Sequence, residues 1–178
     1  MPQPTDSNEA RLTPIGYAAE HVHVAVPLGL FAAMLFINVL LTLQRVVANG
    51  PEWGWMLGIS VGGLMAVAIP FMLWTYFVVF VYVALLLVDQ DVPVSRLANV
   101  VSVAFLFAAA GKLLETCLSL AGLVDLARWP YIVLAIVGLA AATYSVHRDL
   151  HVPKEDAFMS SALALFGLEL IVHFSPLG

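Results

Sequence analysis

The chain has 178 residues, of which 62% are hydrophobic and 11% charged, whereas a soluble domain is about a quarter charged. That composition belongs in lipid, and the length suits one bundle rather than two domains. Twelve acids against seven bases give a net charge of −5 with no basic block, which argues against nucleic acid as a partner and leaves no Lys/Arg cluster to grip anionic lipid.

Residues 1–20 read as a polar tail and interfacial segment ahead of a single membrane domain, 21–178. The stretch 1–10 is polar and holds Pro2 and Pro4, which predicts disorder. Residues 11–20, with Pro14 and Gly16, predict a short interfacial turn or helix. The only base there, Arg11, stands beside Asp6, Glu9 and Glu20. The apolar run that follows is longer than the roughly 7–15 residues of a signal core. It is therefore expected to be a retained span.

Five spans are predicted: 23–46, 56–88, 97–124, 131–146 and 157–174. The first carries Asn38, deep enough to need an interhelical partner. Residues 48–55 (ANGPEWGW) read as a turn with Trp53 and Trp55 as interface anchors. The second stretch is long, extending roughly 50 Å as one helix against a hydrocarbon core of about 30 Å. Pro70 divides it, and one kinked, tilted helix is preferred over a re-entrant half followed by a span. Gly58, Gly62 and Ala66 form a small-residue ridge for a close neighbour. The connectors are 89–96 (DQDVPVSR), a tight loop at 125–130 (DLARWP) and 147–156 (HRDLHVPKED). Arg11, Arg96, Arg148 and Lys154 fall on one side and Arg45 and Arg128 on the other, which predicts a cytoplasmic N-terminus. The expected fold is all-α, a polytopic transmembrane helix bundle of about five spans.

The run 97–124 carries Lys112 and Glu115 in its middle. An ionisable side chain at the centre of a span costs on the order of 2.5–3.5 kcal/mol, and these two, three apart, share a helix face and can pair. Glu169 sits in another apolar run at similar depth if five spans are correct. Two carboxylates around one ammonium suit a proton or cation relay. The same residues equally suit a structural ion pair that fixes helix register, or a contact with a partner subunit.

His21 and His23 open the first span, and His147 and His151 close the fourth, all at one membrane face. The spacing of His147 and His151 is that of metal ligands on a helix, with Asp149 available to orient one of them. Interfacial histidines facing water and headgroups are the plainer reading. Haem fits less well than a metal ion, because bis-histidine haem draws ligands from within facing helices. His173 lies at the opposite face. Cys117, the single cysteine, reads as a packing residue and permits no intrachain disulfide. The aromatics Phe71, Trp74, Tyr76, Phe77, Phe80 and Tyr82 read as core or lipid-facing side chains. No phosphate loop, dinucleotide glycine motif, CxxC or serine elbow is present, so no catalytic residue is assigned.

Three stretches carry a resemblance: VALLLVDQDVPVSRLANVVSVAFLF, WPYIVLAIVGLAAATYSVH and VPKEDAFMSSALALFG. Together, across about 82–170, they resemble spans two to five of the Yip1-domain family of five-span membrane proteins. The N-terminal half lacks the Pro-Arg/Phe segment often found before that family's first span. The resemblance implies a non-enzymatic membrane protein, linked in eukaryotes to vesicle trafficking and small GTPases. The leading expectation is thus a non-catalytic integral membrane protein, a Yip1-like organiser or an accessory subunit. Its partners would be the bilayer and other membrane subunits or further copies of itself. A small proton- or ion-coupled permease built on Lys112, Glu115 and Glu169 is the second expectation. A metal- or haem-binding redox subunit built on His21, His23, His147 and His151 is the third.

Overall fold

The computed structural model describes residues 12–47 and 52–174, and the expected tail at 1–10 lies outside them. Among the described residues the chain is all-α. Its helices are α1 (Pro14–His21), α2 (Ala25–Val47), α3 (Glu52–Leu87), α4 (Val94–Leu120), α5 (Val124–Asp149) and α6 (Lys154–Phe174). Four of them, α2 to α5, are long and apolar enough to cross a membrane. At 21 residues, α6 extends about 31 Å, the length of a fifth span. The fold is a polytopic transmembrane helix bundle.

Local chemistry sets the helix ends. Thr13 caps α1, its hydroxyl accepting from the Gly16 N–H at 3.0 Å, and Pro14 follows at the first helical position, where its missing N–H costs nothing. Left-handed residues follow α3 and α4, as His151 at φ +58° follows α5. Gly122 has φ +83° and Asp89 φ +57°. Behind them the N–H of Leu123 donates to the Leu118 carbonyl and that of Gln90 to the Leu85 carbonyl, each at 2.9 Å, the bonding of a Schellman termination.

The reversal at Gly122 corrects one expectation. Residues 125–130 form no loop: α5 begins at Val124, so DLARWP is its first two turns and Pro130 lies inside the helix. Gly122 completes the turn alone, and Asp125 at the new N-terminus is where an acid is favoured. The turn expected over 48–55 is likewise shortened, because α3 starts at Glu52; residues 48–51 lie outside the described part. The long stretch is one helix of 36 residues with Pro70 inside it.

Packing is organised around α4, which contacts α1, α2, α3 and α5. Its closest approach is to α5, through two glycines. A Cβ on Gly111 would sit 2.7 Å from the Tyr131 Cα, and one on Gly138 2.9 Å from the Ala104 carbonyl oxygen, so these backbones meet where only hydrogen fits. The ridge on α3 is also filled, but by side chains: Leu43 lies over Gly58 and Val39 over Gly62, both from α2. Two donors bind α3 to its other neighbours. The Trp74 indole N–H donates to the Ala98 carbonyl on α4 at 3.0 Å, and the Tyr76 hydroxyl to the Ala164 carbonyl on α6 at 2.8 Å. In turn α6 contacts α5. Among the described residues the backbones of α3 and α5 stand apart, as do those of α4 and α6. The four helices therefore close a ring, with α2 packed against α3 and α4 and sending Phe31 in to stack on Tyr131 of α5.

Candidate functional site

The intramembrane charges lie on α4, eight residues and five residues before its end. Three residues apart on one helix face, the Lys112 Nζ and Glu115 Oε2 are 2.7 Å from each other, and both side chains are partly buried. The ammonium also stands 4.5 Å from the centroid of the Tyr131 ring on α5, in cation–π range. Gly111 makes this possible, since its missing Cβ lets the Tyr131 backbone come up against α4. One turn further on, Thr116 donates to the Lys112 carbonyl at 2.7 Å and accepts from the Asn38 side-chain amide of α2 at 2.9 Å. Asn38 thus finds the interhelical partner that its depth required. Lys112, Glu115, Tyr131, Thr116 and Asn38 make one continuous polar cluster joining three helices. Glu169 lies on α6, but its side chain is outside the described part of the structure, as is that of His173.

Beside this cluster the helices α3–α6, with Phe31 of α2, border a partly open cavity of about 330 Å³. Tyr131 forms part of its wall, with Phe77 of α3, Phe105 of α4, Leu139 of α5, Leu165 of α6 and Phe31 of α2. The Thr143 and Ser161 hydroxyls line it too, yet they bond to each other at 2.9 Å and to the Leu139 and Ala157 carbonyls. The interior is apolar. Of the aromatics in the second stretch, Phe77 lines this cavity, Trp74 and Tyr76 bond backbone carbonyls, and Phe71 is exposed.

A second polar constellation was not foreseen. At the end of α5 the Asp149 carboxylate accepts from the Thr13 N–H at 2.9 Å and from the Thr13 hydroxyl, which also meets the Ser145 hydroxyl at 2.6 Å. All three residues are buried. Gly16 is in contact with the carboxylate, and a Cβ there would collide with it. The expected interfacial segment is therefore a helix pinned into the bundle. One signal was available in the sequence: an acid in the last turn of a helix opposes the dipole, so it needs donors from elsewhere.

Asp149 is thus turned to Thr13 and orients no histidine. His147 and His21 place Nδ1 2.7 Å from the Val152 carbonyl and 2.8 Å from the Tyr17 carbonyl. A carbonyl only accepts, so both rings carry the proton on Nδ1. His23 takes a bond from the Ala25 N–H at 3.2 Å. His151 falls just past the helix, in the left-handed region at φ +58°, so helical spacing to His147 is broken. Among the described residues no group of three or more His, Cys, Asp or Glu stands together as a metal site. Cys117 is exposed on α4 rather than packed. Every buried side-chain polar atom among the described residues has a hydrogen-bond partner.

No family model, no curated protein and no solved structure matches the chain.

Proposed function

We propose that this chain is a non-catalytic integral membrane protein, a Yip1-like organiser or an accessory subunit, acting through lateral contacts inside the bilayer. The observation that carries this reading is the closed state of Lys112 and Glu115. Lys112 is spent on Glu115 and on the Tyr131 ring, and Thr116 is spent on Asn38 and the Lys112 carbonyl. The space beside them is apolar, whereas a proton or cation path needs polar groups along its length. Lys112 and Glu115 close on each other along α4, and Lys112 joins α4 to α5 through the Tyr131 ring. In this reading the N-terminus faces the cytoplasm and the partner is another membrane subunit or a second copy. The outward face of α3 offers the contact, with Leu64, Met65, Phe71 and Met72 exposed.

The test is proton and cation flux in vesicles carrying the purified protein, run beside metal analysis and an absorption spectrum. The expected result is a colourless, metal-free protein with flux no greater than that of empty vesicles, and a fixed oligomer or partner stoichiometry in mild detergent. Flux abolished by Glu115→Gln with the fold intact would make the protein a permease. Stoichiometric metal or a Soret band, lost on His147→Ala with His151→Ala, would make it a redox subunit.

A further inference from the structure

We propose that the cavity ringed by α3, α4, α5 and α6 is a binding site for one acyl chain of a membrane lipid. Its walls offer a polar occupant little: they are almost wholly apolar, and of the three hydroxyl-bearing residues that line it, Tyr131, Thr143 and Ser161, the last two are already bonded to each other and to backbone carbonyls. A water inside needs two to four polar partners, more than the one remaining phenol of Tyr131 could supply. An empty space of this size forfeits dispersion contacts along every wall. A hydrocarbon is the occupant that satisfies both conditions.

Size and shape narrow it further. An apolar cavity of about 150 Å³ is enough for a benzene ring, and this one holds about 330 Å³. The lining runs along α5 from Tyr131 to Val146, a rise of about 22 Å at 1.5 Å per residue. The space is therefore long and narrow and follows the helix axis, as a lipid chain follows the bilayer normal. Its access also points to the membrane. Ile136 and Leu165 line the cavity and are themselves exposed, at 62% and 44%, while Phe31, Val81 and Phe105 on the other walls are buried. The connector joining α5 to α6 holds the two helices together where Thr143 meets Ser161. Towards Ile136 and Leu165 that junction is left behind. Both exposed residues lie well inside their spans, so what meets them is hydrocarbon, and the chain enters sideways between α5 and α6.

The experiment reconstitutes the full protein in phosphatidylcholine vesicles doped with a phosphatidylcholine bearing a photoactivatable diazirine in its acyl chain. After irradiation, labelled residues are mapped by peptide mass spectrometry. Label is expected on Phe105 and Leu139 inside the cavity as well as on Met72 and Leu64 of the outer α3 face. In Ala135→Trp, which fills the cavity, the inner label is lost and the outer label stays. Label confined to Met72, Leu64 and other outward residues of the unmodified protein would overturn the proposal, since lipid would then only coat the bundle. Inner label unchanged in a folded Ala135→Trp would overturn it equally. Should that variant fail to fold, the map of the unmodified protein decides alone, with Ala108→Leu as the milder filling. None of these readouts depends on a protein partner, so the site stands or falls apart from the organiser role.

Discussion

Thr13 and Asp149, 136 residues apart in sequence, are joined by two hydrogen bonds that tie the first helix to the end of α5. The acceptor is a carboxylate, and hydrogen bonds to charged groups are worth about 1.5–3 kcal/mol. Asp149→Ala should therefore release α1, and Asp149→Asn, which keeps one acceptor oxygen, should release it less. Gly16→Ala should act like Asp149→Ala, because its methyl would occupy the carboxylate's place. Hydrogen exchange checks this directly: amides at 15–21 should exchange faster in all three variants while α4 keeps its protection. Equal loss of protection in α4 and α1 would mean that the clasp supports the whole bundle instead.

The glycines of the α4–α5 contact make a contrasting set. Gly111→Ala and Gly138→Ala each drive a methyl into facing backbone, 2.7 Å from Tyr131 Cα and 2.9 Å from the Ala104 oxygen. Overpacking of this kind costs about 1–3 kcal/mol. A Cβ on Gly29, in α2, would meet nothing within 4 Å. Gly29→Ala should therefore be neutral or stabilising by up to about 1 kcal/mol, the helix-propensity difference. Thermal denaturation in a single detergent orders the three. A destabilised Gly29→Ala would show that this face of α2 packs against something in solution.

Much of this architecture was legible in sequence, because the bilayer imposes length and apolarity on each span. The pairing of Lys112 with Glu115 was legible for the same reason, since two charges a helical turn apart in hydrocarbon have little else to bind. Asn38 announced an interhelical bond, though not that Thr116 would supply it. Helix ends were harder. Pro130 suggested a loop, but a single left-handed Gly122 completed the reversal and left Pro130 inside α5, a choice decided by backbone conformation rather than composition. The Thr13–Asp149 clasp joins opposite ends of the chain, and no local pattern specifies such a pair. The cavity was invisible because it arises from which helix backbones stand apart in the bundle.

His151 separates two roles that its sequence position left open. It sits at φ +58° just after α5, a conformation that costs an L-residue roughly 1–2 kcal/mol and glycine almost nothing. As a helix terminator it should be replaceable: His151→Gly is expected to raise the melting temperature and leave bound metal content unchanged. A metal-ligating His151 would give the opposite result, with loss of metal and of stability together. Calorimetry paired with elemental analysis of the same sample distinguishes them.

The Lys112–Glu115 pair makes the sharpest demand on the scaffold reading. Lys112→Met strands the Glu115 carboxylate inside the bundle, and Glu115→Met strands the ammonium over Tyr131. Each single change should cost stability, though less than the roughly 2.5–3.5 kcal/mol of an ionised side chain at a helix centre, because the pair lies towards the end of α4 and is partly exposed. Replacing both by methionine removes the two charges together, and swaps of that kind for well-packed apolar residues are often neutral or stabilising. The double variant should thus recover most of the stability that either single loses, as read by unfolding in detergent. It should also keep the same oligomer, because in this reading the contacts of the pair, with each other and with Tyr131, lie within one chain. A double variant that folds well yet loses its oligomeric state would make the pair a partner contact, with Tyr131 as the side chain to change next.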